Sequence, residues 1–234
     1  MIAWLTITIL TVGFAIVAWG AFDIQANFFL KAIHHGNTAN KQIAITFDDG
    51  PHPIYTPEVL KLLGRYRAKA TFFCIGKNVM RHPDIVKQIH DAGHAVGNHS
   101  FTHTATIDFH GKNSWLDELR QTDSAIEQAI GRRPNFFRPP YGVTTPHLAK
   151  AIRTSGHRAI GWCVRPYDTL NSRSPTQIAR TVLKKVKPGT IALLHDTHDR
   201  IMPVLEQLLP ELDQRGYTFV TVAELINDDA YIEI

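Results

Sequence analysis

Five segments of this 234-residue chain combine acidic, imidazole and guanidinium side chains in ways that suit chemistry. Thr46-Phe47-Asp48-Asp49-Gly50-Pro51 sets two carboxylates side by side; buried and idle they would repel, although Asp-Gly-Pro is also ordinary turn chemistry. His99 and His103, four apart, share one face if that turn is helical, and both can then reach one ion. As a lone pair they read as surface residues; beside two aspartates they read as ligands. Arg138-Pro139-Pro140-Tyr141-Gly142 is a rigid loop with a single Arg, a fourth segment leads through Trp162 to Asp168, and a fifth delivers His195 and Asp196. One carboxylate and two neutral imidazoles hold a divalent ion and leave positions open. Such an ion lowers the pKa of bound water to about 7 and polarises a carbonyl. A second carboxylate can act as general base, and an imidazole opposite can protonate a leaving amine. These residue types predict metal-assisted hydrolysis of an amide.

The elements that must position these groups alternate without a break. Strand-like runs lie at Ile43–Phe47, Ala70–Ile75, His94–Gly97, Asn135–Arg138, His157–Cys163, Thr190–Leu194 and Tyr217–Thr221. Helical patterns fall between them, one opening at Thr56-Pro57-Glu58 with Thr56 as cap, others over Pro83–Ala92, Ser114–Ile130, Pro146–Ser155, Pro175–Val186 and Met202–Arg215. Gly follows several of them, as a left-handed cap requires. This order predicts a parallel α/β sheet, open or closed. The five chemical segments sit at carboxyl ends of strands, where such folds place active sites.

Residues 1–22 contain no charged, amide or imidazole side chain, and as a helix they would span about 33 Å, the hydrocarbon core of a bilayer. Trp4 and Trp19 suit its interfaces. A signal peptide would want positive residues at the start and a small-x-small site, for which Ala18-Trp19-Gly20 is poor. The expectation is an uncleaved anchor over 1–22, a polar linker over 23–39 and a catalytic domain over 40–234. Lys31 mildly favours a cytoplasmic domain by charge bias. The formal charge of +4 is scattered, without a recognition motif, so nucleic acid is excluded as partner. Cys74 and Cys163 sit in apolar runs and read as inert thiols.

Thr46-Phe47-Asp48-Asp49-Gly50, His99-Ser100-Phe101-Thr102-His103, Arg138-Pro139-Pro140-Tyr141-Gly142 and Leu193-Leu194-His195-Asp196 resemble, in order, the motifs of the polysaccharide deacetylase family, the NodB-homology group or carbohydrate esterase family four. The resemblance covers about residues 41–225 and implies a distorted (β/α) barrel of about seven parallel strands. It implies Asp48 as base, Asp49, His99 and His103 as metal ligands, and Arg138 as the residue orienting Asp48. The Tyr141 N–H would stabilise the oxyanion, and His195 would be the acid, oriented by Asp168. The ion would be zinc by default, with cobalt, nickel or manganese as alternatives. The partner would be a glycan or glycolipid, met by a monomeric catalytic domain on the outer side of the membrane, and that expectation outweighs Lys31.

One motif departs. Where the family commonly shows Asp-x-x-Asp-Trp, this chain has Arg165-Pro166-Tyr167-Asp168-Thr169. Arg165 either favours an anionic substrate or pairs with a neighbouring Asp; the expectation leans to the pair. Trp162 reads as core, and Asp196 as a loop cap. Of 13 histidines, the ten without a role read as solvated or capping residues. The leading function is N-deacetylation of an amino sugar. Alternatives are a deacylase or deformylase of a lipid-linked amino sugar, a catalytically silent carbohydrate-binding homologue, and a non-haem iron oxygenase, which explains neither Asp48 nor His195.

Overall fold

The computed structural model describes residues 1–233. Nine strands are β1 Gln42–Asp48, β2 Ala70–Cys74, β3 Ala95–Asn98, β4 Arg133–Pro134, β5 Phe136–Phe137, β6 Arg158–Ala159, β7 Thr190–His195, β8 Thr218–Phe219 and β9 Tyr231–Ile232. The helices are α1 Ile2–Phe22, α2 Tyr55–Arg65, α3 Gly76–Arg81, α4 Pro83–Asp91, α5 Lys112–Ile130, α6 Pro146–Ser155, α7 Pro175–Lys185, α8 Ile201–Gln214 and α9 Val222–Ile226. All seven strand-like runs form parallel strands, in the order β6-β5-β3-β2-β1-β7 with β8 beside the start of β1. The sheet curls: the isolated bridge Val164–Ala192 ties the run after β6 to β7, and the segment before β1 bridges both sides of the same gap through Ile33–Ile160 and His35–Thr190. This is the distorted barrel expected, plus one unforeseen antiparallel ribbon of β4 and β9.

Strand parity decides what faces the barrel interior. Along β1, Ile43, Ile45 and Phe47 pack outward with Val59, Leu63, Leu205 and Leu208 of the covering helices, while Ala44 joins the inner cluster with Phe73, Phe137, Ile191 and Leu193. Because successive side chains alternate, Thr46 and Asp48 continue the inner face of β1, and His195 continues that of β7. Both strands are buried on their two faces, hence their nearly unbroken apolar runs.

Thr56 is not the cap of α2. That helix starts at Tyr55, and the Thr56 hydroxyl instead donates to Asp196. Residues 23–39 lie along the barrel: Ile24, Leu30 and Ala32 are buried, and the Gly36 N–H donates to Gly189 O. The end of α1 is joined to the body, since Thr144 donates through its N–H to Ala21 O (2.8 Å) and through its hydroxyl to Gly20 O (3.1 Å). Cys74 is buried, Cys163 is half-buried, and both are free thiols.

Candidate active site

Register brings the chemical residues to one end of the barrel. Asp48 of β1 lies opposite His195 of β7, and Asn98 of β3 opposite Phe137 of β5. His99 and Arg138, one step further along, therefore emerge on neighbouring strands. Asp48, Asp49, His99, His103, Tyr141 and His195 all line one cavity of about 250 Å³, with Trp162, Arg165 and Thr169 completing its wall.

The turn holding the two histidines is not helical. Ser100 and His103 adopt left-handed backbone, with φ of +63° and +52°. Its shape comes from acceptors: Asn98 Oδ1 takes the Ser100 N–H, Ser100 Oγ takes the His103 N–H, and Glu118 of α5 takes those of Phe101 and Thr102. The imidazoles still meet, with ring centroids 4.9 Å apart. Glu118 was invisible in the motif because it lies 16 residues from Thr102.

Asp49, His99 and His103 offer ligand atoms all within 4.8 Å of one another. Asp49 Oδ1 lies 3.3 Å from His99 Nε2 and 3.2 Å from His103 Nε2. Ligand atoms on a tetrahedral zinc, at bonds of 2.0–2.1 Å, stand about 3.3 Å apart. His99 Nδ1 donates to the Arg138 carbonyl (2.8 Å), so Nε2 turns its lone pair toward the Asp49 and Asp48 carboxylates. Acceptors facing acceptors need a cation between them. Burial lowers the His99 pKa, but the Asp48 charge and the Asp49 hydrogen bond outweigh it and raise it, so a proton is drawn to the place a metal would take. Burial and the His99 charge bring His103 down to about 4, leaving its lone pair free. Burial pushes the Asp49 carboxyl up, but the His99 hydrogen bond and the histidine charges hold it well below the usual carboxylate range. These residues fit a divalent ion.

Arg138 is fully buried and uses four N–H groups. Nη1 donates to Asp48 Oδ1 (2.8 Å) and Thr46 Oγ1 (2.6 Å), Nη2 to Gly161 O, and Nε to Ile160 O. Its guanidinium also lies 4.1 Å from the Phe73 ring centroid. Thr46 was not foreseen, although it sits on the same inner face two residues before Asp48. Across the cavity, His195 Nδ1 lies 3.1 Å from Asp168 Oδ1, and the His195 N–H donates to Asp168 Oδ2 (2.8 Å). His198 contributes a second imidazole, its Nε2 at 3.3 Å from Asp168 Oδ2. His198, read as solvated or capping, thus shares the carboxylate that holds His195. His157 is likewise buried, against Asp123 at 3.0 Å.

Trp162 is both core and wall, 6% exposed and touching the cavity. Tyr141 has left-handed backbone (φ +59°), and its hydroxyl donates to His103 O. Asp196 does not cap a loop: it is buried under Gly50, and burial raises its carboxyl to about 7. The expected Arg165–Asp pair is absent among the described residues, because the nearby Asp168 is taken up by His195 and His198.

Burial opposes the charge on His195, but the Asp168 hydrogen bond and charge, then Asp48 and Asp49, raise its pKa to about 9. A folded-state value above the ordinary 6.5 gives stability that is full below 6.5 and lost as pH rises through about 9. Asp168 is depressed, so its contribution is present above the ordinary carboxyl range and lost as pH falls through the lowered value. In the metal-free protein, Asp168→Asn is expected to move the His195 titration down from about 9 toward 6.5, as followed by imidazole NMR. An unmoved titration would show that Asp168 is not the cause.

A curled parallel barrel with a two-histidine, one-carboxylate cluster between a paired Asp and a carboxylate-backed His has the layout of a metal-assisted amide hydrolase. Residues 35–160 match the family model described as polysaccharide deacetylase. The chain is 41% identical to a peptidoglycan-N-acetylglucosamine deacetylase of Bacillus cereus over 194 residues, covering 80% of this chain and 88% of that one. It is 33% identical to the peptidoglycan-N-acetylmuramic acid deacetylase PdaA of Bacillus subtilis, covering 83% of this chain and 75% of that one. The solved Bc1960 peptidoglycan N-acetylglucosamine deacetylase superposes with a TM-score of 0.80 at 28% identity, over 85% of this chain and 94% of that one. The chain belongs to the polysaccharide deacetylase family, hydrolases of the amide bond in N-acetylated sugars.

Proposed function

We propose that the protein is a zinc-dependent N-deacetylase acting on an amino sugar of an envelope glycan. The observation that supports this most is the meeting of Asp49, His99 and His103 in one cavity with Asp48 on Arg138 and His195 on Asp168. The activities printed for the relatives support it further. Asp49, His99 and His103 would hold the ion, and zinc suits two imidazoles and a carboxylate, with cobalt, nickel and manganese fitting the same donors. When bound, the ion polarises the acetamido carbonyl and makes its water acidic near neutral pH. Asp48, oriented by Arg138, takes the proton from the attacking water. The Tyr141 N–H donates to the carbonyl oxygen as charge develops there. His195, protonated against Asp168, passes its proton to the sugar nitrogen as the C–N bond breaks, leaving acetate and a free amine.

Helix α1 is the membrane anchor in this reading, with the catalytic domain on the outer side. Its Thr6, Thr8 and Thr11 hydroxyls donate to carbonyls four residues back, so they are satisfied within the helix, as lipid requires. A reporter fused after Ile234 is expected to be active only outside the cytoplasm; activity inside would reverse the orientation. For the reaction, the purified chain with zinc should release acetate from N-acetylglucosamine oligomers, lose this with a chelator and regain it with zinc. If no acetylated or formylated sugar is turned over with any divalent metal, the reading falls.

A further inference from the structure

One cationic part of the cavity wall has no task in that reaction. Arg165 is half-buried and lines the same cavity as Asp48, Asp49 and His195. The arginines that have a carboxylate partner are Arg120, Arg133, Arg138, Arg158 and Arg215; among the described residues no acid lies within 4.0 Å of Arg165. Aromatic faces hold it instead. Its guanidinium carbon lies 5.4 Å from the Trp162 ring centroid and 5.1 Å from that of Tyr167. Tyr167 is presented by left-handed backbone, with φ of +58°. Cation–π contact holds a guanidinium through its charge and leaves its N–H groups free for an acceptor. Those groups form bidentate, charge-assisted hydrogen bonds with planar or tetrahedral oxyanions. The neighbouring Thr169 adds a small polar side chain to the same wall.

We infer that Arg165 is an oxyanion-recognising residue, and that the acetylated sugar bound here, or its neighbour in the glycan, carries a carboxylate or a phosphate. The inference rests on the deacetylase reading and adds a substrate class to it. Arg165 binds the anionic group while Asp48 and His195 act on the acetamido group. Selectivity for charged over neutral glycan follows from this contact, since a neutral sugar leaves the guanidinium without an acceptor in a half-desolvated place.

The test compares three substrates with the full chain loaded with zinc: a neutral N-acetylglucosamine tetramer, the same tetramer bearing O-lactyl carboxylates, and one bearing a terminal phosphate. The preferred anionic substrate is expected to exceed the neutral one in kcat/KM by about tenfold or more, the size of a charge-assisted contact. In Arg165→Gln that ratio should fall to near one, in Arg165→Lys it should be partly kept, and in Arg165→Glu it should invert. The arm that responds identifies carboxylate or phosphate. Equal ratios in the parent and Arg165→Gln for both anions would overturn the inference. Calorimetric binding to the metal-free chain separates it from the hydrolase reading. Arg165-dependent binding of an anionic oligomer without acetate release would keep the anion site and remove the hydrolase; acetate release at an Arg165-independent ratio would do the reverse.

Discussion

Asp49→Ala chains are expected to hold no zinc and to release acetate no faster than buffer, whereas Asp48→Asn chains keep their zinc and lose about 10²–10⁴-fold in kcat. Adjacent residues of one carboxylate type thus give opposite metal contents. Asp49 Oδ1 stands 3.3 and 3.2 Å from the two imidazoles, and without it the donor set shrinks to two nitrogens. Asp48 Oδ1 is instead 2.8 Å from Arg138, and its other oxygen is 3.8 Å from His99, farther than Asp49 Oδ1. An amide at 48 keeps the shape but gives up the basic oxygen. Zinc per chain by atomic emission, measured beside acetate release, decides the matter. Loss of zinc in Asp48→Asn would make Asp48 a ligand and refute the assignment.

Arg138→Leu is expected to destabilise the fold by about 3–5 kcal/mol, the cost of leaving a buried charge without its partner. Asp48 is 3% exposed, so water cannot replace the guanidinium, and the carbonyls of Ile160 and Gly161 lose their donors as well. Denaturant unfolding of the metal-free protein measures this directly. The double variant Asp48→Asn with Arg138→Leu should recover part of the loss, because the unpaired charge is gone. A double variant that is additively worse would show that the ion pair is not the source. The same arginine presents its own carbonyl to His99 Nδ1, so backbone displacement at 138 also disturbs one of the three proposed ligands.

The strands were legible because parallel strands buried on both faces are apolar at nearly every position, as in Ile43–Phe47 and Thr190–Leu194, with one Thr in each. Their carboxyl ends then located the site, since Asp48, His99, Arg138 and His195 each sit at or just past a strand end. What escaped was set by distant partners. The 99–103 turn depends on Glu118 in another element, so i, i+4 spacing brought the right residues together by the wrong geometry. Residues 23–39 read as a polar linker, yet Ile24, Leu30 and Ala32 among their apolar members dock on the barrel. The two-residue strands β4 and β9 are too short to leave a period. His198 declares itself only through Asp168, a carboxylate 30 residues away. Arg165 is expected to pair with a neighbouring Asp, but Asp168, three residues on, is engaged by two imidazoles.

The left-handed backbone at Asp49, Ser100, His103 and Tyr141, with φ of +71°, +63°, +52° and +59°, bears on any attempt to transplant this site. Each such residue costs on the order of 1–3 kcal/mol and persists only where its surroundings over-determine it. Copying the side chains alone onto an idealised barrel would let those four backbones relax, swinging both histidines and the Asp49 carboxylate away from a common point. A working graft would have to bring the loops with it, and Glu118 and Asn98 too, which hold one of them in shape. The portable unit is larger than the motif.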